Sequence, residues 1–392
     1  MSAALTESIF FSLFLIFTGA AILATLALFA RQALPVAYIA LGVLIGPYGV
    51  GVLVDPEVIR QMSEIGIIFL LFLLGLDLTP QELLHMLRKA TLITLGSAMA
   101  FALLGYAVAY TFGFSPLESL LIGAAMIFSS TIIGLKLLPT TALHHQHMGE
   151  IIIAVLLLQD LLAIAMLLLI GGFSGEGFSW QSLGLLLVAL PTLILFAYGF
   201  ERYVLIKLIR KFNKIREYIF LMAIGWCLGV AELASLLGLS HEIGAFIAGV
   251  ALAASPIALY IAESLRPLRD FFLVLFFVSL GAGFDLEILG QVLLPALLMA
   301  TLMMLGKPWV FRWLLVWAGE TPKLGLEVGV RLGQVSEFSL LIAVLAWESG
   351  LLSEAASFLI QATTLLTFIA STYYVVLNYP TPVAISDRLR RD

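Results

Sequence analysis

The chain has 392 residues, of which 62% are hydrophobic and only 11% are charged, and its formal net charge is −5. Soluble domains carry roughly 25% charged and 45–50% apolar residues, so this composition excludes a soluble enzyme built around a bound cofactor. The single cysteine excludes an internal disulfide framework and a Cys-x-x-Cys metal motif. Arranged in spans of about 20 residues, the apolar residues suffice for about a dozen membrane helices. The sequence therefore predicts a polytopic, all-α membrane protein.

Hydropathy, broken at charges and at Gly, Pro, Asn and Asp clusters, predicts thirteen transmembrane helices. In chain order they comprise residues 7–30, 34–48, 60–76, 90–112, 117–139, 149–171, 181–205, 216–237, 241–259, 268–283, 289–317, 324–348 and 354–378. The fifth and the twelfth contain polar and small residues, FSSTIIG at 128–134 and RLGQVSEFS at 331–339, so we expect both helices to be interrupted.

The basic residues lie almost entirely on one side of this predicted topology. Seventeen of the 20 Lys and Arg fall in one set of alternate loops, Arg60 falls in the other set, and Lys307 and Arg331 fall inside spans. The positive-inside rule therefore predicts an outside N-terminus and a short cytoplasmic tail at 381–392. We expect the protein in the cell (inner) membrane.

An odd number of helices with termini on opposite sides permits two inverted six-helix repeats joined by one helix. Helices 1–6 and 8–13 would form the repeats, and the helix at about 181–205 would be the linker. The two interrupted helices would then occupy corresponding positions. Matched interruptions in two halves are the best sequence indication of a transport site.

Asp160 is an isolated carboxylate near the middle of its span, where a charge costs roughly 2.5–3.5 kcal/mol on insertion scales. Such a carboxylate can bind a proton or hold K⁺ or Na⁺, which makes it a minimal exchange site. The alternative is a permanent pair with Arg or Lys. The neighbouring Gln159 offers a neutral carbonyl oxygen to the ion, or serves only as an interhelical hydrogen-bonding group.

Three further groups lie at a similar depth. Lys307 either neutralises Asp160 when no cation is bound or tethers two helices. The hydroxyls of Ser130 and Thr131 either coordinate the cation or satisfy the ends of the broken helix. Glu337, six residues after Arg331, is expected to stabilise the crossed helix ends or to pair with Lys307.

Several motifs together resemble one transporter family. They are FSSTIIGLKLL, HMGEIIIAVLLLQDLLAIA, SHEIGAFIAGVALAAS, LRPLRDFFLVLFFVSLGAGFD and RLGQVSEFSLLIAV. In this order they resemble the Kef-type branch of the monovalent cation/proton antiporter superfamily, over about residues 30–375. The resemblance implies a sodium/proton-antiporter-like fold in which the two interrupted helices cross beside the ion-binding aspartate, here Asp160. It also assigns Gln159, Lys307 and the pair Ser130–Thr131 to positions of the family's ion site.

The resemblance further implies a homodimer with two functional parts. The dimerisation part would comprise about 1–89 and 216–288, and the mobile core about 90–171 and 289–378. Glutathione-gated members carry a cytoplasmic regulatory domain after the last helix, whereas this chain is either a short member or a truncated one, so a regulatory domain or subunit outside this chain is a candidate partner. Glu150 and YIAES at 260–264 depart from the glutathione-gated pattern, so gating by glutathione is not expected.

The sequence as a whole predicts K⁺/H⁺ exchange by alternating access, with no enzymatic activity and no cofactor other than the transported ions. Na⁺/H⁺ exchange on the same fold is the closest alternative. A cation channel is a different class, and the selectivity-filter repeat TVGYG is absent from the sequence. We expect a second copy of the chain and the lipid bilayer as partners, and no nucleic acid.

Overall fold

A computed structural model describes residues 9–52, 56–77, 80–136, 147–172, 180–212, 215–239, 241–253, 255 and 257–381. Its helices in chain order are α1 Ile9–Phe29, α2 Leu34–Ile45, α3 Pro56–Asp77, α4 Pro80–Thr111, α5 Pro116–Ala125, α6 Thr131–Lys136, α7 His147–Gly172, α8 Trp180–Phe200, α9 Ile206–Lys211, α10 Arg216–Leu236, α11 His241–Ala253, α12 Ala258–Ala282, α13 Leu286–Trp317, α14 Pro322–Arg331, α15 Glu337–Glu348 and α16 Glu354–Asn378. A π-helical turn, Glu201–Leu205, joins α8 to α9. These elements confirm the predicted all-α class.

Six helices in the described part of the chain are long and apolar enough to cross a membrane. They are Phe10–Phe29, Thr91–Thr111, His147–Leu167, Arg216–Leu236, Glu287–Trp317 and Glu354–Asn378. Shorter apolar helices accompany them, among them α2 and α5. The helices support a multi-pass membrane protein, whereas the count of thirteen spans and the orientation of the termini stay predictions. Of the predicted tail, residues 382–392 lie outside the described residues.

Two helices begin earlier than the hydropathy predicts. The predicted span 268–283 belongs to α12, which begins at Ala258 and continues through Pro267, and the predicted span 90–112 belongs to α4, which begins at Pro80. Each of these predicted spans is therefore the apolar part of a longer helix. Hydropathy detects only the apolar part of a helix, whereas polar turns at its end keep the same backbone hydrogen bonds.

The described residues divide into two compact units. The first takes in the described residues of Met1–Ala20, Ile39–His85 and Gly171–Gly283, and the second takes in those of Ala21–Tyr38, Met86–Ile170 and Phe284–Asp392. We call them unit 1 and unit 2. The predicted roles of a dimerisation part and a mobile core stay predictions.

Unit 1 is built around α3, which packs against α11 and α12, while α11 also packs against α10. Close approach of the backbones depends on small residues. A Cβ added to Gly249 would lie 2.1 Å from the carbonyl oxygen of Phe72 and 2.9 Å from the Cα of Gly75. Small residues at such crossings let membrane helices pack by van der Waals contact where the lipid gives no hydrophobic driving force.

Unit 2 contains both interrupted helices. The long helix α13 packs against α14 and α16, and α16 also packs against α5 and α15. The predicted interruptions are confirmed, because α5 and α6 are separated by residues 126–130 and α14 and α15 by residues 332–336. We call these segments the first break and the second break.

Candidate functional site

The first break is held by an amide side chain from α7. The Gln159 carbonyl oxygen accepts a hydrogen bond from the Ser129 N–H at 3.0 Å, and its NH₂ group donates to the Ile127 carbonyl at 3.2 Å. Backbone groups that leave a helix inside a membrane need such partners, because no water is available to them. Both ends of the Gln159 amide therefore have a structural role.

The two breaks contact each other through polar groups. The Ser129 hydroxyl donates to the Leu332 carbonyl at 2.8 Å. The Gln334 NH₂ group donates to the Ser130 carbonyl at 3.3 Å. Each break thus satisfies backbone acceptors of the other, and the interruption of one helix depends on the interruption of its partner.

Lys307 on α13 lies where the two breaks meet. Its ammonium group donates to the carbonyl oxygens of Phe128 at 2.8 Å and of Gln334 at 3.1 Å, and to the Ser129 hydroxyl at 3.2 Å. An ammonium group has three donors, so these acceptors account for all of them. The side chain is fully buried.

The position of Lys307 also has an electrostatic reason. Phe128 and Gln334 follow the C-terminal ends of α5 and α14, where the helix dipole places partial negative charge. The ammonium group also lies 5.2 Å from the centroid of the Phe101 ring. None of the hydrogen-bond acceptors of Lys307 belongs to Asp160 or Glu337. This geometry favours the tether between helices over the neutralisation of Asp160.

Asp160 lies on α7 and is only 1% exposed. The hydroxyl of Thr131, the first residue of α6, lies 3.1 Å and 3.3 Å from its two carboxylate oxygens. Within the described part of the chain, Asp160 makes no ion pair with Lys, Arg or His within 4.0 Å. The permanent ion pair considered as an alternative is therefore absent among these residues.

A second carboxylate is buried in unit 2. Glu337 is the first residue of α15 and is 5% exposed. Since an isolated charge in a medium of low dielectric constant is strongly disfavoured, binding of a proton or a cation is the chemistry open to Asp160.

The other two predicted groups have structural contacts. The Ser130 hydroxyl accepts from the Ile133 N–H at 3.1 Å and so caps α6, rather than contacting Asp160. Arg331, at the end of α14, donates to a carboxylate oxygen of Glu327 at 2.9 Å and to the Pro380 carbonyl at 3.0 Å. Of the residues predicted for the ion site, the structure therefore brings Thr131 into hydrogen-bonding contact with Asp160.

Sequence reasoning missed the contribution of the last helix. The Ser371 hydroxyl donates to the Gln334 side-chain carbonyl at 2.9 Å, and the Thr367 hydroxyl accepts from the Val335 N–H at 3.0 Å. Both residues belong to a buried polar stripe on α16, composed of Ser357, Gln361, Thr364, Thr367 and Ser371. Spacings of three and four residues place these side chains on one helix face. This periodicity of polar residues within an apolar span could have indicated the stripe from the sequence.

The donor atoms at the candidate site are oxygens. Among the described residues no group of three or more His, Cys, Asp and Glu side chains could hold a metal ion. The carboxylate of Asp160 and the hydroxyl of Thr131 are oxygen donors, the type that hard cations prefer. The candidate site is therefore one buried carboxylate beside a helix break, with a hydroxyl oxygen in contact with it.

Comparisons with known proteins agree with this fold. The family described as "Sodium/hydrogen exchanger, transmembrane" matches residues 13–377. The protein named "Putative cation/proton antiporter YbaL" from Escherichia coli (strain K12) is 28% identical in an alignment of 345 positions that covers 85% of this chain. This chain spans 62% of the length of that relative.

Two solved structures of the sodium proton antiporter MjNhaP1 from Methanocaldococcus jannaschii are similar in fold. One has a TM-score of 0.69 at 20% identity and covers 93% of this chain and 95% of its own. The other has a TM-score of 0.64 at 18% identity and covers 93% and 94%. Because the family match extends over nearly all the helices described above, we conclude that this chain belongs to the sodium/hydrogen exchanger family, within the monovalent cation/proton antiporter superfamily.

Proposed function

We propose that this chain is a monovalent cation/proton antiporter in which one cation and one proton compete for Asp160, and that K⁺ is the favoured cation. The observation that carries the proposal is the environment of the Asp160 carboxylate. It is buried, it accepts a hydrogen bond from Thr131, and no basic side chain among the described residues pairs with it within 4.0 Å. A carboxylate in this state needs a bound proton or cation to be neutral.

Exchange follows from a charge count at the site. Asp160 is neutral when it carries either H⁺ or K⁺, so both loaded forms can undergo the alternating-access transition. The unloaded form carries a buried charge and is disfavoured. One cation then moves for each proton, provided that Lys307 keeps its proton. Its three hydrogen bonds to Phe128, Ser129 and Gln334 favour the charged ammonium form.

The preference for K⁺ rests on the field strength of the site. The neighbour of Asp160 is the neutral amide of Gln159, and the hydroxyl next to the carboxylate belongs to Thr131. A single carboxylate attracts a small ion too weakly to offset the large free energy that its dehydration costs. Binding of the larger and more easily dehydrated K⁺ is therefore favoured over binding of Na⁺. The same argument is debated for channels.

Na⁺/H⁺ exchange is the second candidate. MjNhaP1, whose fold this chain shares, is named a sodium proton antiporter, and the matching family is described as a sodium/hydrogen exchanger. These names support exchange of a monovalent cation. The amide of Gln159 argues against Na⁺, because it gives a weaker electrostatic field at Asp160 than a second carboxylate would.

The proposal is tested with purified protein in liposomes that contain a pH indicator. Outward gradients of K⁺, Na⁺, Rb⁺ and Li⁺ of equal size are imposed in turn, and internal pH is recorded. We expect K⁺ and Rb⁺ to drive proton uptake faster than Na⁺ and Li⁺. A faster response to Na⁺ would favour the second candidate, and no response to any cation, at normal protein incorporation, would overturn antiport altogether.

We further propose that the working unit is a homodimer in the cell (inner) membrane, with the N-terminus outside and the C-terminus in the cytoplasm. The opposite placement of the termini is supported by the asymmetry of Lys and Arg in the sequence. Crosslinking in native membranes tests the dimer. Accessibility of single cysteines introduced at Ser115 and Lys323 in a background lacking Cys227 tests the orientation, because only the first is expected to react from outside.

A further inference from the structure

Unit 2 contains an apolar groove that the transport site does not use. The groove has a volume of about 570 Å³ and lies between α13, α14 and α16. Its lining includes Leu297, Thr301, Met304, Trp309, Val330 and Leu366. A volume of this size is typical of a site for an organic ligand. We call it the α13 groove.

The groove is long enough to hold an acyl chain that spans one leaflet of a bilayer. Leu297 and Trp309 both line it and lie twelve residues apart on α13, which corresponds to about 18 Å along the helix. The hydrocarbon core of one leaflet is about 15 Å deep, half of the ~30 Å bilayer core. Because the side chains of Leu305 and Trp309 at the groove are more than 60% exposed, lipid can reach it directly.

A cation lies at one end of the groove. Arg312 is one turn beyond Trp309, and its guanidinium lies 5.0 Å from the centroid of the Trp309 ring. In the part of the chain that the structure describes, no hydrogen bond or ion pair holds this guanidinium. A stacked guanidinium with free donors is well suited to bidentate recognition of a phosphate.

We propose that the α13 groove binds one acyl chain of an anionic phospholipid whose headgroup phosphate is held by Arg312. The occupant is a lipid because the lining is apolar, the groove is as long as one leaflet is deep, and a cation lies where the headgroup would be. The positive-inside rule predicts that Arg312 faces the cytoplasm, and the cytoplasmic leaflet is the one rich in anionic lipid.

The bound chain would contact the helices that form the breaks. Pro308 lines the groove and directly follows Lys307, and Met304 lies beside Gly333 of the second break. Val330 lines the groove and packs with Ile133 on α6, the helix that begins with Thr131. An acyl chain in the groove therefore stabilises the packing that positions the breaks.

The test uses delipidated protein and two phospholipids with identical acyl chains, phosphatidylglycerol and phosphatidylcholine. Retention is measured by native mass spectrometry, and a photoreactive group at the acyl terminus maps the chain by crosslinking. We expect phosphatidylglycerol to be retained about fivefold better, the effect of one basic residue at an anionic surface, and to crosslink to Leu297 or Leu366.

Variants separate the headgroup from the chain. Arg312→Gln should remove the preference for phosphatidylglycerol, whereas Lys323→Gln, an exposed lysine outside the groove lining, should leave it unchanged. Ala370→Phe should fill the groove and abolish the crosslinks, whereas Ile369→Phe at the neighbouring position should not. Equal retention of both lipids by the wild type, or crosslinks that survive Ala370→Phe, would overturn the proposal.

Discussion

The two breaks are alike in position but differ in what surrounds them. The first break, residues 126–130, contains no ionisable residue, and the carboxylate beside it is supplied by α7. The second break, residues 332–336, is flanked by its own charges, Arg331 and Glu337. From outside the two breaks, the second is held by Ser371, Thr367 and Lys307, whereas the first is held by Gln159 and Lys307.

The two breaks also differ in their distance from Asp160 along the hydrogen-bond network. The first break leads directly into Thr131, whose hydroxyl contacts Asp160, whereas the second break is hydrogen-bonded to Lys307, Ser371 and other buried groups of unit 2. Two interrupted helices with matched positions therefore need not share the chemistry. We infer that ion binding is concentrated at the first break, and that the second break holds the first one in place.

Asp160→Asn should have the largest effect. Asn is nearly isosteric and can accept from Thr131, but it carries no charge for a cation and no exchangeable proton at physiological pH. We expect cation-driven proton movement in liposomes to fall to the background of protein-free liposomes. The protein should elute from size-exclusion chromatography as the wild type does.

The control for that change is Asp270→Asn, on an exposed carboxylate of α12 that pairs with Arg269. We expect normal exchange from this variant. If Asp160→Asn retained more than half of the wild-type rate, Asp160 would not be the shared site.

Lys307→Met should mainly destabilise the fold. Met keeps much of the volume but removes the donor to the carbonyls of Phe128 and Gln334 and to the Ser129 hydroxyl. Each buried acceptor that loses its donor costs roughly 1–3 kcal/mol. The measurement is the temperature of heating at which half of the protein disappears from the peak of folded protein in size-exclusion chromatography.

The matched variant is Lys323→Met, the same change at an exposed lysine, which should alter stability by less than about 0.5 kcal/mol. Normal stability of Lys307→Met together with lost exchange would reverse the assignment. Lys307 would then be a titrating partner of Asp160 rather than a tether.

Thr131→Val tests whether the hydroxyl that directly follows the first break takes part in ion binding. The substitution preserves shape and removes the group that donates to Asp160. A hydrogen bond to a charged group contributes roughly 1.5–3 kcal/mol, so the half-saturating cation concentration should rise about tenfold or more. Maximal exchange should change less.

Thr363→Val is the natural control, because the Thr363 hydroxyl is buried without a hydrogen-bond partner among the described residues. It should not shift the cation dependence. An equal response of the two variants would remove Thr131 from the ion site.

Gln159→Asp should have the smallest effect on exchange, a change in the ratio of K⁺ to Na⁺ transport rather than in turnover, while the loss of the hydrogen bonds to Ser129 and Ile127 should lower stability. A second carboxylate raises the field strength and favours the smaller ion, so we expect a shift of a few-fold towards Na⁺. Gln159→Asn shortens the side chain equally without the charge and separates this effect from loss of the hydrogen bond to Ser129. The same shift in both variants would mean that geometry, not charge, sets the ratio.

Much of the candidate site was predictable because membrane burial makes polar residues conspicuous. Asp160, Lys307 and the two breaks stand out from apolar sequence, since each costs free energy in the bilayer. The partners of these groups were not predictable. Ser339, whose hydroxyl donates to the Ala125 carbonyl at 2.6 Å, is 214 residues away in sequence, and no local pattern indicates such a contact.

The sequence by itself determined that the chain is helical, that it lies in a membrane, where two helices break, and which carboxylate is isolated. These features depend on composition and on periodicity along the chain, so they can be read from it. Only the tertiary structure decided that Lys307 binds the broken ends, that Thr131 rather than Ser130 contacts Asp160, and that α16 completes the second break. Hydrogen bonds between distant helices depend on packing in three dimensions, and a residue's type fixes what it can bond to but not which partner it meets.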